Sequence, residues 1–401
     1  MATVRRRCNA FESVFAGCNI RFGAAVTFPS CPLSSVEAAI RSALWWDLHG
    51  VLELQRVEEN WVLTSNADRL ALTPEVRIGS PDVLRDFCTE MALDRAPGCS
   101  VVLLDQGENR CSGFLVNANH ALADGRAMTK YLERCMEILR GDASSTCGAT
   151  SASLVDWGEF LDRDVEPEFL DQPGPPLLLS NIRRASAPSC SSVEIRHEVD
   201  AVLFGQACEK ARAGGSSVTG LLVACLELAA AAAFFRRSEE PTCSPSVSVL
   251  VDLRPHLPDM PSTAQAIGTV TTGAKLDRAA LDPELGGLWT LAAAATADIK
   301  ARVLRGEAIA QARSLTQGRF DQGGAPGTIE LSNLGCLRLK PGEQMHFSQR
   351  FDEYEGLSIL SHQNGPDGPL RFCSSVGRGN DLEILSALLD QAVSFLRLAA
   401  E

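Results

Sequence analysis

Asn119-His120-Ala121-Leu122-Ala123-Asp124-Gly125 is the stretch on which the reading of this chain turns. It follows an apolar run, Phe114 to Val116, that reads as a buried strand. It precedes Arg126 to Leu139, where Met128, Tyr131, Leu132, Cys135, Met136 and Leu139 recur at spacings of three and four and predict an amphipathic helix. A strand ending in an imidazole, with a carboxylate four residues on and a glycine where the chain turns, is a rigid mount for a general base. The same string also fits a core histidine beside an aspartate that caps the following helix.

Outward from this motif, strands and helices alternate. Before it the pattern predicts a strand at Ala24–Phe28, a helix over Leu33–Leu48, paired strands at Val51–Val57 and Trp61–Thr64, and a helix over Pro81–Ala92. A strand at Ser100–Asp105 then turns at Gly107-Glu108-Asn109. Between Gly141 and Ser192, Ser, Thr, Gly and Pro accumulate around a short helix at Val155–Leu161, as in a long connection between two halves. The second half opens with a strand at Ser192–Val199 and helices at Ala201–Ala213 and Val218–Phe235. From Ser246 to Arg254 the residues alternate, with Val247, Val249, Val251 and Leu253 on one side and Ser248, Leu250, Asp252 and Arg254 on the other. Helical patterns fill Pro283–Leu304, and Thr328–Leu331 is a short strand before Ser332-Asn333-Leu334-Gly335. A hairpin of Gly356–His362 and Leu370–Val376 and a helix over Leu382–Leu398 close the chain. The class is α/β or α+β two-layer sandwiches, in two similar layered domains.

Composition narrows the function. A chain of 401 residues exceeds the usual size of one core, so two domains of ~150–200 residues are expected. The net charge of -13 argues against nucleic acid or an anionic membrane as partner. The 14 cysteines form no C-x-x-C pair, and neither they nor the six histidines cluster at metal-ligand spacing, so no metal site is expected. Reduced cysteines packed as small apolar groups fit a cytoplasmic protein, while Arg5, Arg6 and Arg7 leave an organelle transit peptide as the alternative. Val218–Phe235 is apolar enough for a membrane span, but its alanines, Gly220 and Glu227 suit a buried core helix better. Gly323–Gly327 has neither the spacing nor the lysine of a phosphate loop.

The motif Asn119-His120-x-x-x-Asp124-Gly125 resembles the active-site motif of the chloramphenicol-acetyltransferase-like superfamily, which includes condensation domains, plant acyltransferases, alcohol acetyltransferases and polyketide-associated acyltransferases. Val251-Asp252-Leu253-Arg254-Pro255 and Ser332-Asn333-Leu334-Gly335 resemble segments of the alcohol-acetyltransferase branch. Asn119 stands where condensation domains have a first histidine, and the D-F-G-W-G segment of the plant group is missing.

The resemblance implies two such domains forming a pseudo-dimer: 1–165 with the histidine motif, a linker over 166–190, and 191–401, with a channel at their junction. It implies a monomeric O-acyltransferase that moves an acyl group from acyl-CoA, or from acyl-phosphopantetheine on an acyl carrier protein, to an alcohol. His120 is then the general base, and no cofactor is held permanently. Asp124 is implied to be structural, paired with an arginine for which Arg254 is the candidate, against the plainer pairing of Arg254 with Asp252. Gly125 gives a close entry into the helix. Ser332 and Asn333 either offer donors to an oxyanion or form ordinary turn chemistry. An amide-forming condensation enzyme and a non-catalytic docking module are the alternatives.

Overall fold

The computed structural model describes residues 5–17, 20–47, 52–65, 75–78, 99–143, 161, 193–236, 238–257, 266–281, 286–318, 329–350, 357–376 and 382–401. The expected helix at 81–92, the linker at 166–190, both domain bounds and the loop at 323–327 lie outside them, as does the short helix at 155–161 apart from Leu161. Chain order gives β1 Arg5–Arg7, α1 Ala10–Gly17, β2 Arg21–Pro32, α2 Leu33–Asp47, β3 Leu52–Val57, β4 Asn60–Ser65, β5 Glu75–Ile78, β6 Cys99–Asp105, β7 Arg110–Asn119 and α3 Gly125–Leu139. The second half supplies β8 Val193–Val199, α4 Ala201–Ala213, α5 Val218–Phe235, β9 Thr242–Cys243, β10 Ser246–Asp252, β11 Ile267–Gly273, β12 Leu276–Asp277, α6 Gly286–Leu304 and α7 Glu307–Thr316. It ends with β13 Ile329–Cys336, β14 Gln344–Arg350, β15 Leu357–Gln363, β16 Leu370–Val376 and α8 Leu382–Ala400.

β7 lies at the centre of the first main sheet, in the order β14-β2-β7-β6-β5. Its residues from Cys111 to Asn119 are all buried, which explains a run without clean alternation: both faces are covered. The turn that feeds it holds Gly107, Glu108 and Asn109 at positive φ (93°, 55° and 57°), and Asp105 accepts from the Gly107 N–H at 2.8 Å. On one face Phe22, Ala24, Val26, Phe114 and Val116 pack against Val36 and Ile40 of α2 and Met128, Tyr131 and Leu132 of α3. The edge strand β14 comes from the second half of the sequence and pairs antiparallel with β2, Arg350 opposite Arg21. The two halves of the chain are thereby stitched through one sheet.

The second main sheet runs β11-β10-β13-β15-β16-β8, parallel between β10, β13 and β15 and antiparallel elsewhere. One face, with Val247, Val249, Ile329, Leu331, Leu357 and Ile359, buries against α4, α5, α6 and α8. α5 is 78% buried over its apolar window, so the one described helix apolar enough to cross a membrane is the core helix of this domain. At Gly220 an added Cβ would lie 2.0 Å from Thr296 Oγ1 and 2.6 Å from the Ala292 carbonyl, so α5 and α6 meet backbone to backbone there.

Glu227 sits in α5 among alanines and leucines, 2% exposed, with Oε1 enclosed and unpartnered. Burial, assisted by the Asp298 charge, pushes its carboxyl up to about 8 from the ordinary 4.5. A raised folded-state pKa stabilises the fold below about 4.5, and that contribution is lost as pH climbs through about 8. Within this window Glu227 costs up to ~1.4 kcal/mol per pH unit. Glu227→Gln should therefore flatten the pH dependence of urea unfolding between pH 5 and 8.5. An unchanged slope would show that the carboxyl does not titrate there.

Eight elements are not announced by the sequence: β1, α1, β5, β9, β11, β12, β14 and α7. Arg5–Arg7 forms an edge strand on β4, with Arg6 paired to buried Glu12 at 2.7 Å. β13 runs on through Ser332–Cys336 rather than stopping at Leu331, with a register irregularity between Asn333 and Cys336. β10 ends at Asp252, and Arg254 lies beyond it in a short 3-10 turn, Arg254–His256, where Pro255 fixes φ and removes a ladder donor.

Candidate active site

His120 is the first residue past β7. Its backbone N–H donates to the Ile20 carbonyl at 2.8 Å, so the strand pairing with β2 continues one step past Arg21–Asn119. Asn119 closes the turn: its Oδ1 accepts from the Ala121 N–H at 2.9 Å and its carbonyl from Leu122 at 2.9 Å. The imidazole stacks on Phe15, centroids 4.5 Å apart at 28°, and meets the edge of Phe22 at 6.3 Å. The residue is 8% exposed, and Nδ1 is an enclosed nitrogen of the ring. Burial lowers the ring's pKa below the ordinary histidine value, against the weaker pull of its own backbone carbonyl and the Asp124 charge. The ring is accordingly a neutral base at pH 7.

Asp124 performs two tasks at once. It is the N-cap of α3 (φ -85°, ψ 171°), and its Oδ1 accepts from the Ala127 N–H at 2.8 Å. Its Oδ2 accepts from Arg254 Nη2 at 2.6 Å and from the Ala266 N–H at 2.9 Å, both from the other half of the chain. Burial works to raise the Asp124 pKa; the Arg254 charge and the two backbone donors reverse this and hold it below the usual carboxylate range. Arg254 also reaches Asp252 at 2.8 Å, so the two pairings weighed for it coexist.

Gly125 does not need a left-handed backbone. A Cβ there would meet Leu334 Cδ2 at 3.1 Å and the Phe22 ring at 3.6 Å, so the glycine lets β13 pack against the start of α3. Arg126 donates to the Leu334 carbonyl at 3.4 Å across the same seam.

Ser332 and Asn333 part company. The Asn333 amide donates to Thr219 Oγ1 at 3.1 Å, and its Oδ1 accepts from Gly335 N–H at 3.0 Å and Ser361 at 3.2 Å. One of its two amide hydrogens is thereby engaged by α5, and its oxygen serves the turn around Gly335 (φ +75°). Ser332 lies on the opposite face of β13, half-buried.

Three other described histidines serve the fold. His362 is 2% exposed, its Nε2 3.1 Å from the Met345 carbonyl, and burial pushes its pKa down to about 3. His197 lies 3.5 Å from Asp390, and His346 packs beside Arg371. Among the described residues no group of His, Cys, Asp and Glu could hold a metal ion.

Three contributors escape sequence reasoning. The Ala266 N–H and Ile20 carbonyl are backbone groups with no signature. Arg21 did leave a signal, a lone cation between Ile20 and Phe22 in an apolar strand; it is wholly buried, and its Nε donates to Asn117 at 3.2 Å.

No protein-family model matches the chain, and no curated protein matches it. Solved structures do. Polyketide synthase associated protein 5 from Mycobacterium tuberculosis superposes with a TM-score of 0.67 at 13% identity, over 98% of this chain and 97% of that one. TRI3 trichothecene 15-O-acetyltransferase from Fusarium sporotrichioides gives 0.69 at 13% identity, over 100% and 96%. The first condensation domain of the CDA synthetase gives 0.67 at 15% identity, over 100% and 97%. The chain thus has the two-domain chloramphenicol-acetyltransferase-like fold that these proteins share.

Proposed function

We propose that this protein transfers an acyl group from a thioester, either acyl-CoA or acyl-phosphopantetheine on a carrier protein, to an alcohol. The observation that carries the reading is an imidazole at the C-terminal end of β7, held by a turn whose carboxylate is locked across both halves of the chain. An alcohol is a poor nucleophile at neutral pH and needs a base within hydrogen-bond reach. His120 Nε2 takes the hydroxyl proton as the acceptor oxygen attacks the thioester carbonyl. The tetrahedral intermediate collapses, the C–S bond breaks, and the thiolate takes the proton from the imidazolium. Ester and free thiol leave, and the ring is neutral again. Asp124 does not touch the reacting atoms; it fixes the turn. We place the protein in the cytoplasm as a monomer, since one chain supplies both sheets and the described cysteines are in no disulfide.

The test pairs product and pH. Acetyl-CoA and acetyl-phosphopantetheine are each incubated with a panel of primary alcohols, and ester is read by mass spectrometry. With the His120 pKa lowered, kcat/KM should be flat from pH 7 to 8 and fall only on the acid side, through a pKa below 6.5. An acid limb above pH 7, or no thioester cleavage with any donor, would remove the reading.

A further inference from the structure

The second sheet carries a transverse polar row on the face turned away from its helices. Register places Thr271 opposite Ser248, Ser248 opposite Glu330, and Glu330 opposite Ser358, so four neighbouring strands present these side chains side by side. One residue along each strand, Val247, Ile329 and Leu357 face the apolar core instead. The row is linked: Ser248 and Thr271 hydroxyls lie 2.9 Å apart, and Ser358 donates to Glu330 Oε1 at 3.3 Å. Gln349 of β14 closes it from the first sheet, its amide donating to Ser358 Oγ at 3.1 Å.

Two links tie this row to the histidine. Gln349 pairs in register with Phe22, whose ring edges His120. Glu330 lies four residues before Leu334, the residue against Gly125, a distance of about 13 Å along a strand. The row itself spans three strand spacings, roughly 14 Å. Ser248 and Ser358 are enclosed, while Thr271 and Glu330 stay half-buried and are the members a ligand can reach.

We infer that this row grips the far end of the acceptor, and that the acceptor is a polyhydroxylated molecule rather than a simple alkanol. The inference rests on the acyl-transfer reading above. A carboxylate flanked by hydroxyls accepts hydrogen bonds from several substrate O–H groups at once, and a site built for such groups rejects an analogue that lacks them.

Methyl glucoside and cyclohexylmethanol test it, since both put one primary hydroxyl on a six-membered ring and differ in the ring hydroxyls. With acetyl-CoA as donor, the wild type should favour methyl glucoside at least ten-fold in kcat/KM. Glu330→Leu should abolish that preference through the KM of methyl glucoside, with the KM of acetyl-CoA unmoved, and Glu330→Gln should retain part of it. Saturation-transfer NMR of both compounds gives the same comparison without turnover. Loss of thioester cleavage with selective binding intact would sink the acyl-transfer reading and leave the row standing. Equal use and equal binding of the two compounds, or a preference that survives Glu330→Leu, would overturn the row.

Discussion

His120→Ala lowers kcat/KM about 10²- to 10⁴-fold, the range supplied by a positioned general base, while the protein stays folded. The ring's contacts are few: a stack on Phe15 and an edge on Phe22. Losing them costs on the order of 1 kcal/mol, the value of an aromatic pair beyond its area. The backbone bond from residue 120 to Ile20 does not depend on the side chain, so the turn survives. Turnover and stability therefore separate, and the KM for the thioester should hardly move. His120→Gln refills the volume without restoring a base and should be as inactive as the alanine variant. Steady-state kinetics with acetyl-CoA, beside urea unfolding of each variant, makes the comparison. Near-normal turnover in either would mean that proton transfer happens elsewhere.

How much of this was legible before the structure depends on what kind of signal each residue leaves. The helix over Ala201–Ala213 and the core helix Val218–Phe235 match their expected bounds because periodicity and caps agree: Asp200 and Ser217 accept from the first-turn N–H groups. The hairpin of β3 and β4 was equally plain, with Glu58 at φ 57° in its turn. β14 was not. Gln344–Arg350 alternates weakly, and its place is set by pairing with a strand more than 300 residues earlier, which no local pattern encodes. Long-range pairing is where sequence reading fails on physical grounds.

The site divides the same way. His120, Asp124 and Gly125 stand together in one short string. Arg254 could be singled out as a cation on the polar side of an alternating strand, yet it lies two residues beyond β10, in the turn that Pro255 favours. For Asp124 the helix-cap reading and the ion-pair reading were posed as alternatives, but a carboxylate has two oxygens, and the two readings take one each. For Asn333 the turn reading has a visible counterpart, since its oxygen accepts from the Gly335 N–H, while strand parity brings its amide beside Thr219.

Asp124→Asn should cost about 3 kcal/mol of stability, the low end of the 3–5 expected when one member of a buried pair is removed. The low end applies for two reasons. Asparagine keeps an oxygen for the Ala127 N–H, so α3 retains its cap. Arg254 keeps Asp252, whose side chain is 34% exposed, and is not left wholly uncompensated. Asp124→Ala also loses the cap and should cost about 1 kcal/mol more. The sign with pH follows from the lowered Asp124 pKa. A depressed carboxylate contributes stability above its unfolded value near 3.9 and loses it as pH falls through the folded value. The deficit of Asp124→Asn should therefore be constant from pH 6 to 8 and shrink only in acid below about 4. A double-mutant cycle with Arg254→Met isolates the pair: in a cross-half clamp the double variant is less destabilised than the sum of the singles. Additive losses would show that Asp124 gains nothing from Arg254, and then the turn carrying His120 would be tied to the second half of the chain through the Ala266 N–H rather than through an ion pair.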